Sequence, residues 1–324
     1  MTHEFLHILQ AYRRCVRENL RTVLATIVHV DGSSYRKEGT QMLIDEKRAI
    51  TGALSGGCVE QEVIRQAVSV FEDGCSKIFK YDGRYRLGCE GSIYILLESF
   101  APHDECLNAL ETAIARRQFF TLTCSYRKEE SSDPSFGSSF STQAQRFHPP
   151  RCPTNSENLE YTHTFQPLRR LCIFGIEHDA GKLSQLAYFL GWEVVIIGTE
   201  QSSVGPADFP FASTVLTLAA EELDPGLFCA HTAVVVMSHS YSKDLRFLLH
   251  VLSSEVPYIG LLGPVHRRER LLNELIEHQP FVDDRLFDKL HGPVGLPIGS
   301  ETPEEIALSI MAEVVGVFKG EVVV

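Results

Sequence analysis

A chain of 324 residues, 44% hydrophobic and 22% charged, carries enough apolar material for about two packed domains. Its net charge of −12 argues against a nucleic-acid partner, whose phosphates it would repel. No run approaches the roughly 18 apolar residues of a membrane span, and the N-terminus mixes His3, Glu4, Arg13, Arg14 and Arg17 into its apolar positions where a signal peptide would have an unbroken core, so a cytoplasmic protein is expected.

Residues 1–127 read as one mixed α/β domain. Phe5, Leu6, Leu9, Tyr12 and Val16 recur at helical spacing over 5–19, and the β-branched run 23–30 ends in the turn Asp31-Gly32-Ser33-Ser34. Residues 40–50 read as its hairpin partner. Residues 58–71 have helical periodicity through Val59, Val63, Ala67 and Val70, with Gly74 as the C-terminal breaker. Strands over 77–81 and 92–97, a helix over 105–117 and a strand over 119–125 complete the domain. Residues 128–166 are rich in Ser, Pro, Gly, Asn and Thr, with Pro149-Pro150 and Cys152-Pro153, and read as a polar linker or excursion.

Residues 167–324 alternate strands (171–174, 193–197, 214–218, 232–237, 258–262) with helices (180–190, 243–252), which predicts a Rossmann-like, doubly wound parallel sheet. The last helix is marked by Thr302 as N-cap, Pro303 at its first position and Glu305 completing a capping box.

Two glycine-rich turns each carry a thiol, Ser55-Gly56-Gly57-Cys58 and Gly88-Cys89-Glu90-Gly91. Such turns let backbone N–H groups and a sulfur approach an anion or cofactor, and a helix start at Cys58 would lower that thiol's pKa. A packed, inert cysteine is the other reading of each. Nine cysteines, an odd number without regular spacing, fit reduced thiols better than a disulfide framework. In the second half, Gly175-Ile176-Glu177-His178-Asp179-Ala180 stands where a dinucleotide fold has its phosphate loop, but Glu177 replaces the glycine that lets pyrophosphate approach. The acidic ribose acceptor is also missing, since Ile197 leads into Gly198 and Thr199, so NAD(P) is not expected as cofactor. His178 and His239 follow strands at the sheet's carboxyl edge and are candidate ligand contacts, with Asp244 nearby; a loop hydrogen bond would explain each equally well. No Cys/His spacing of a structural zinc site is present.

Several segments together resemble the XdhC/CoxI proteins, known as xanthine dehydrogenase accessory factors. They are Gly32-Ser33-Ser34-Tyr35-Arg36 with Gly39, Ser55-Gly56-Gly57-Cys58-Val59-Glu60, Gly88-Cys89-Glu90-Gly91, Tyr258-Ile259-Gly260-Leu261-Leu262-Gly263 and His291-Gly292-Pro293-Val294-Gly295-Leu296 leading into Thr302-Pro303-Glu304-Glu305-Ile306-Ala307. The resemblance implies a factor that binds the molybdenum cofactor (molybdopterin) transiently, assists its sulfuration and passes it to a molybdenum hydroxylase apoenzyme. It further implies a cysteine desulfurase and a second copy of the chain as partners. Cofactor contacts are then expected at Ser33, Ser34, Arg36, Gly56, Gly57, Cys58, Gly88, Cys89 and Gly91. A nucleotide-dependent oxidoreductase in the C-terminal half is the alternative, and a redox or metal sensor working through the thiols a third reading.

Overall fold

Phe5, Ile8, Leu9 and Tyr12 are buried on one face of helix α1 (Thr2–Arg17), the face that the 3.6-residue period assigns to the core. The computed structural model describes residues 1–83, 91–147, 155–278 and 288–321. By its internal contacts the chain divides into two units, Met1–Pro167 and Leu168–Val324.

In the first unit the strands are β1 (Thr22–Asp31), β2 (Gln41–Asp45) and β3 (Ile50–Gly52), then, after α2 (Cys58–Asp73), β4 (Lys77–Asp82) and β5 (Ser92–Ser99). Helix α3 (Asp104–Ala115) leads to β6 (Phe120–Tyr126), β7 (Ser131–Ser132), β8 (Gly137–Thr142), β9 (Arg146–Phe147) and β10 (Leu159–Phe165). The hairpin partner expected over 40–50 is thus two short strands. One sheet has the order β3-β2-β1-β5-β4-β7 and a second the order β10-β6-β8-β9. Every pairing within them is antiparallel. Helix α2 lays Val59, Val63, Ala67 and Val70 on the first sheet against Ala25, Ile27, Ile93 and Ile95.

Where it is described, the segment 128–166, read as a polar linker or excursion, supplies β7 to β10. Residues Leu159 to Phe165 pair in continuous register with Tyr126 to Phe120. The stretch is anchored by aromatic rings, Phe165 stacking on Phe120 at a centroid distance of 4.5 Å and meeting Phe5 at 4.9 Å. Pro149-Pro150 and Cys152 lie outside the described residues.

The second unit holds β11 (Arg170–Phe174), α4 (His178–Phe189), β12 (Glu193–Gly198), β13 (Thr214–Thr217), β14 (Thr232–Val236), α5 (Tyr241–Val251), β15 (Tyr258–Leu261), α6 (Val265–His278), β16 (Leu290–His291) and α7 (Pro303–Lys319). The six strands are parallel in the order β13-β12-β11-β14-β15-β16. Alternate residues face opposite helical layers. Cys172, Phe174, Val234 and Val236 pack with α5 and α6, while Leu171, Ile173, Ala233 and Val235 pack with α4 and α7. This is the doubly wound sheet the alternation predicts. The Thr302 side chain accepts the Glu305 N–H, completing the expected capping box. Helix α6 follows Pro264 and is an element the periodicity did not reveal. No helix among the described residues is long and apolar enough to cross a membrane.

Candidate functional site

The first unit contains a cleft of about 230 Å³ where three turns meet. Ser33, Ser34 and Tyr35 come from the turn after β1; Leu54, Ser55, Gly56 and Val59 from the start of α2; Tyr81, Gly83, Gly91 and Ile93 from the facing ends of β4 and β5. Contact between the first and last of these segments requires glycine: a Cβ at Gly91 would lie 2.2 Å from the Ser33 carbonyl oxygen and 2.7 Å from that of Asp31.

The turn before α2 is fixed by a buried carboxylate. Glu60 Oε1 accepts the N–H groups of Leu54 at 3.1 Å and Ser55 at 2.7 Å, and Oε2 accepts the Ser55 hydroxyl at 2.6 Å. The Ser55 oxygen in turn accepts N–H groups from Gly57 and Val59 at 3.1 and 3.3 Å. Burial alone would raise the Glu60 pKa, but the bonds from the Ser55 hydroxyl and the backbone amides outweigh it and hold the carboxyl below its usual range. A fixed negative charge therefore sits at the positive end of α2. Gly57, with φ 125°, is the N-cap, a conformation that favours glycine. A Cβ on Gly56 would meet no atom within 4 Å, so the backbone there faces open space.

Of the expected contact residues, Ser33, Ser34, Gly56 and Gly91 line this cleft, and Gly57 and Cys58 follow directly at the start of α2. Gly88 and Cys89 lie outside the described residues. Arg36 is placed elsewhere: its Nη2 is 2.5 Å from Glu4 Oε1, it is not among the lining residues, and its Nε is buried without a partner. Burial pushes the Glu4 carboxyl up, yet the Arg36 guanidinium and the chain's terminal amine hold it below its ordinary value. The described lining carries no charged side chain; it offers serine hydroxyls, two tyrosines and the apolar side chains of Leu54, Val59 and Ile93. Such a surface suits a ligand with flat, weakly polar faces and a hydrogen-bonding edge. Tyr35, Ser55 and Glu60 stand within the motifs, yet nothing in the sequence marks their roles, and Tyr81 has no signal beyond its place at a strand end.

The second unit separates its two candidate histidines. His178 opens α4 and borders a different cavity, whereas His239 is exposed in the left-handed region at φ 54°. Asp244 is committed elsewhere, 2.5 Å from Arg267 Nη2 and bonded by the Ser238 hydroxyl. Gly175, at φ 147°, brings its α-carbon against β14: a Cβ there would lie 2.6 Å from the Met237 carbonyl oxygen. Glu177 is the N-cap of α4. At the end of β12, Thr199 bonds Ser202 and receives Lys243 Nζ at 3.4 Å. Cys15, Cys75, Cys106 and Cys124 are free thiols.

Residues 15–82 match the model of the XdhC and CoxI family, and residues 171–314 match that of the XdhC Rossmann domain. A probable xanthine dehydrogenase component of Bacillus subtilis is 30% identical over 314 residues, 90% of this chain and 92% of that protein. The Escherichia coli molybdenum cofactor insertion chaperone PaoD is 24% identical, over 98% of this chain and 90% of its own. The crystal structure of a xanthine dehydrogenase from Bacillus halodurans superposes with a TM-score of 0.81 at 27% identity, covering 96% of both chains. With two family models matched and a relative matched over nearly its whole length, the chain belongs to the XdhC and CoxI family.

Proposed function

We propose that this protein is an accessory factor for a molybdenum hydroxylase of the xanthine dehydrogenase type, binding the molybdenum cofactor as cargo and handing it to the apoenzyme. The observation that carries the reading is convergence: the Ser33-Ser34-Tyr35 turn, the Ser55-Gly56 turn and Gly91, far apart in sequence, form one cleft. The names of the relatives from Bacillus subtilis and Escherichia coli support it, one a probable component of xanthine dehydrogenase, the other a cofactor insertion chaperone.

The lining fits the organic part of such a cargo. A fused heterocycle presents flat faces to Tyr35, Tyr81 and Val59 and an edge to serine hydroxyls. The open space at Gly56 admits the ligand close to the backbone where α2 begins, and Cys58 is the residue at which that helix starts. Sulfuration of the cargo while it is held, with a cysteine desulfurase as sulfur donor, belongs to the same proposal. Binding and release need no turnover chemistry by this chain.

The test is to express the protein in a molybdenum-replete host and measure retained molybdenum by mass spectrometry and pterin by fluorescence after oxidation. Retention by the wild-type chain and its loss by about tenfold or more in Gly56→Val, which fills the open space, is expected. Absence of molybdenum and pterin from the wild-type protein, or equal retention by a folded Gly56→Val variant, refutes the placement.

A further inference from the structure

Helix α4 carries a buried hydroxyl with nothing to bond. Ser184 is 1% exposed and its Oγ has no hydrogen-bond partner, although a helical serine ordinarily returns its hydroxyl to the carbonyl one turn back. It lines a cavity of about 180 Å³ between α4 and the chain at 208–211, in the helical layer. Gly181 forms part of its lining and leaves room, since a Cβ there would meet no atom within 4 Å. Phe209 and Phe211 supply aromatic walls and Gln185 an amide.

Lys182 and Asp208, two charged groups in the lining, already have partners. Lys182 Nζ is 2.8 Å from Glu304 Oε1, with His178 close enough to help hold the Glu304 carboxyl below its usual range after the Lys182 hydrogen bond. Asp208 Oδ2 accepts the Gly205 N–H at 2.8 Å. What remains for a ligand is neutral hydrogen bonding from the Ser184 hydroxyl and Gln185 amide beside two aromatic rings. An anion or cation entering here would displace an existing pair, whereas a neutral ring would not.

We propose that this cavity is a binding site for an uncharged planar heterocycle of the nucleobase class, its face against Phe209 or Phe211 and its edge on Ser184 and Gln185. The site is independent of the N-terminal cleft and of the cargo assigned to it.

Adenine and cytosine, as free bases without sugar or phosphate, are the probes, titrated against the full chain by saturation-transfer NMR and thermal shift, with benzoate and inorganic phosphate as charged controls. At least one base is expected to bind and raise Tm. Ser184→Ala should weaken that binding about tenfold, the worth of one buried hydrogen bond, while leaving the Tm of the free protein unchanged or higher. The exposed Gln185 allows a second variant, Gln185→Leu, that disturbs no core and should weaken binding similarly. Gly56→Val should leave base binding as it is, which keeps this test separate from that of the cargo cleft. The proposal is overturned if neither base binds, if both variants bind as the wild type does, if Ser184→Ala lowers the Tm of the free protein, or if a charged probe binds more tightly than the bases.

Discussion

Glu60 and Gly91 show how single residues shape the cleft without presenting a charge to it. Glu60 spends its carboxylate on the Leu54 and Ser55 amides and the Ser55 hydroxyl; Glu60→Gln should cost about 1.5–3 kcal/mol in urea unfolding, the range for hydrogen bonds to a charged group. Gly91→Ala drives a Cβ into the Ser33 carbonyl, and because the obstacle is backbone the cost should be at the upper end of overpacking, about 3 kcal/mol, with cargo retention lost as well. Arg36, expected from the resemblance as a cofactor contact, does not line the cleft. Its partner is Glu4, so Arg36→Ala should lower stability by about 1 kcal/mol, as for a partly exposed pair, and leave cargo retention unchanged. Loss of retention in the folded variant would return Arg36 to the cargo's contacts.

At the scale of elements, β5 and β8 are joined through a carboxyl with no basic partner among the described residues. Glu98, wholly buried, accepts the Ser138 hydroxyl at 2.5 Å and the Ser138 N–H at 2.8 Å. Burial outweighs those bonds and pushes its pKa up to about 7. The folded state therefore holds this proton more tightly than the unfolded chain, whose value is near 4.5. Stability from this group is full below about pH 4.5 and is lost as pH rises to about 7, a fall on the order of 2–3 kcal/mol. Glu98→Gln should flatten that window in denaturant midpoints measured from pH 4.5 to 7.5; an unchanged slope would show that Glu98 is not its source. Elements with a wide apolar stripe or a cap pair were legible in the sequence: α2 begins at Cys58 and closes at Gly74 in the left-handed region, and α7 carries its box. Those built on pairing were not. Strand β8, Gly-Ser-Ser-Phe-Ser-Thr, has the composition of a loop, and its hydrogen bonds to β6 and β9 make it a strand. Helix α6 buries just Leu271 and Leu275 among many charges, too narrow a stripe to stand out. Within the cleft, the glycine turns were legible because turn chemistry is local, while Tyr81 was not, since its approach to the other turns is set by the fold.

At the scale of the whole molecule, the second unit keeps the strand order of a dinucleotide fold without two features that fold uses for its ligand. Glu177 stands where pyrophosphate would approach, and Gly198 leaves the ribose without a carboxylate. Each loss is worth about 1–3 kcal/mol, so calorimetric titration should find no NAD(H) or NADP(H) affinity tighter than about 100 μM. A low-micromolar constant would instead favour a nucleotide-dependent oxidoreductase. Gly175 looks at first like the surviving part of that nucleotide motif. Its missing side chain is what lets the end of β11 press against the Met237 carbonyl, which a Cβ would meet at 2.6 Å, so the position would demand glycine in a protein that had never met a nucleotide. Half of a fingerprint can thus be mechanical: here it records how tightly two strands are pressed together and bears no witness to a ligand gained or abandoned.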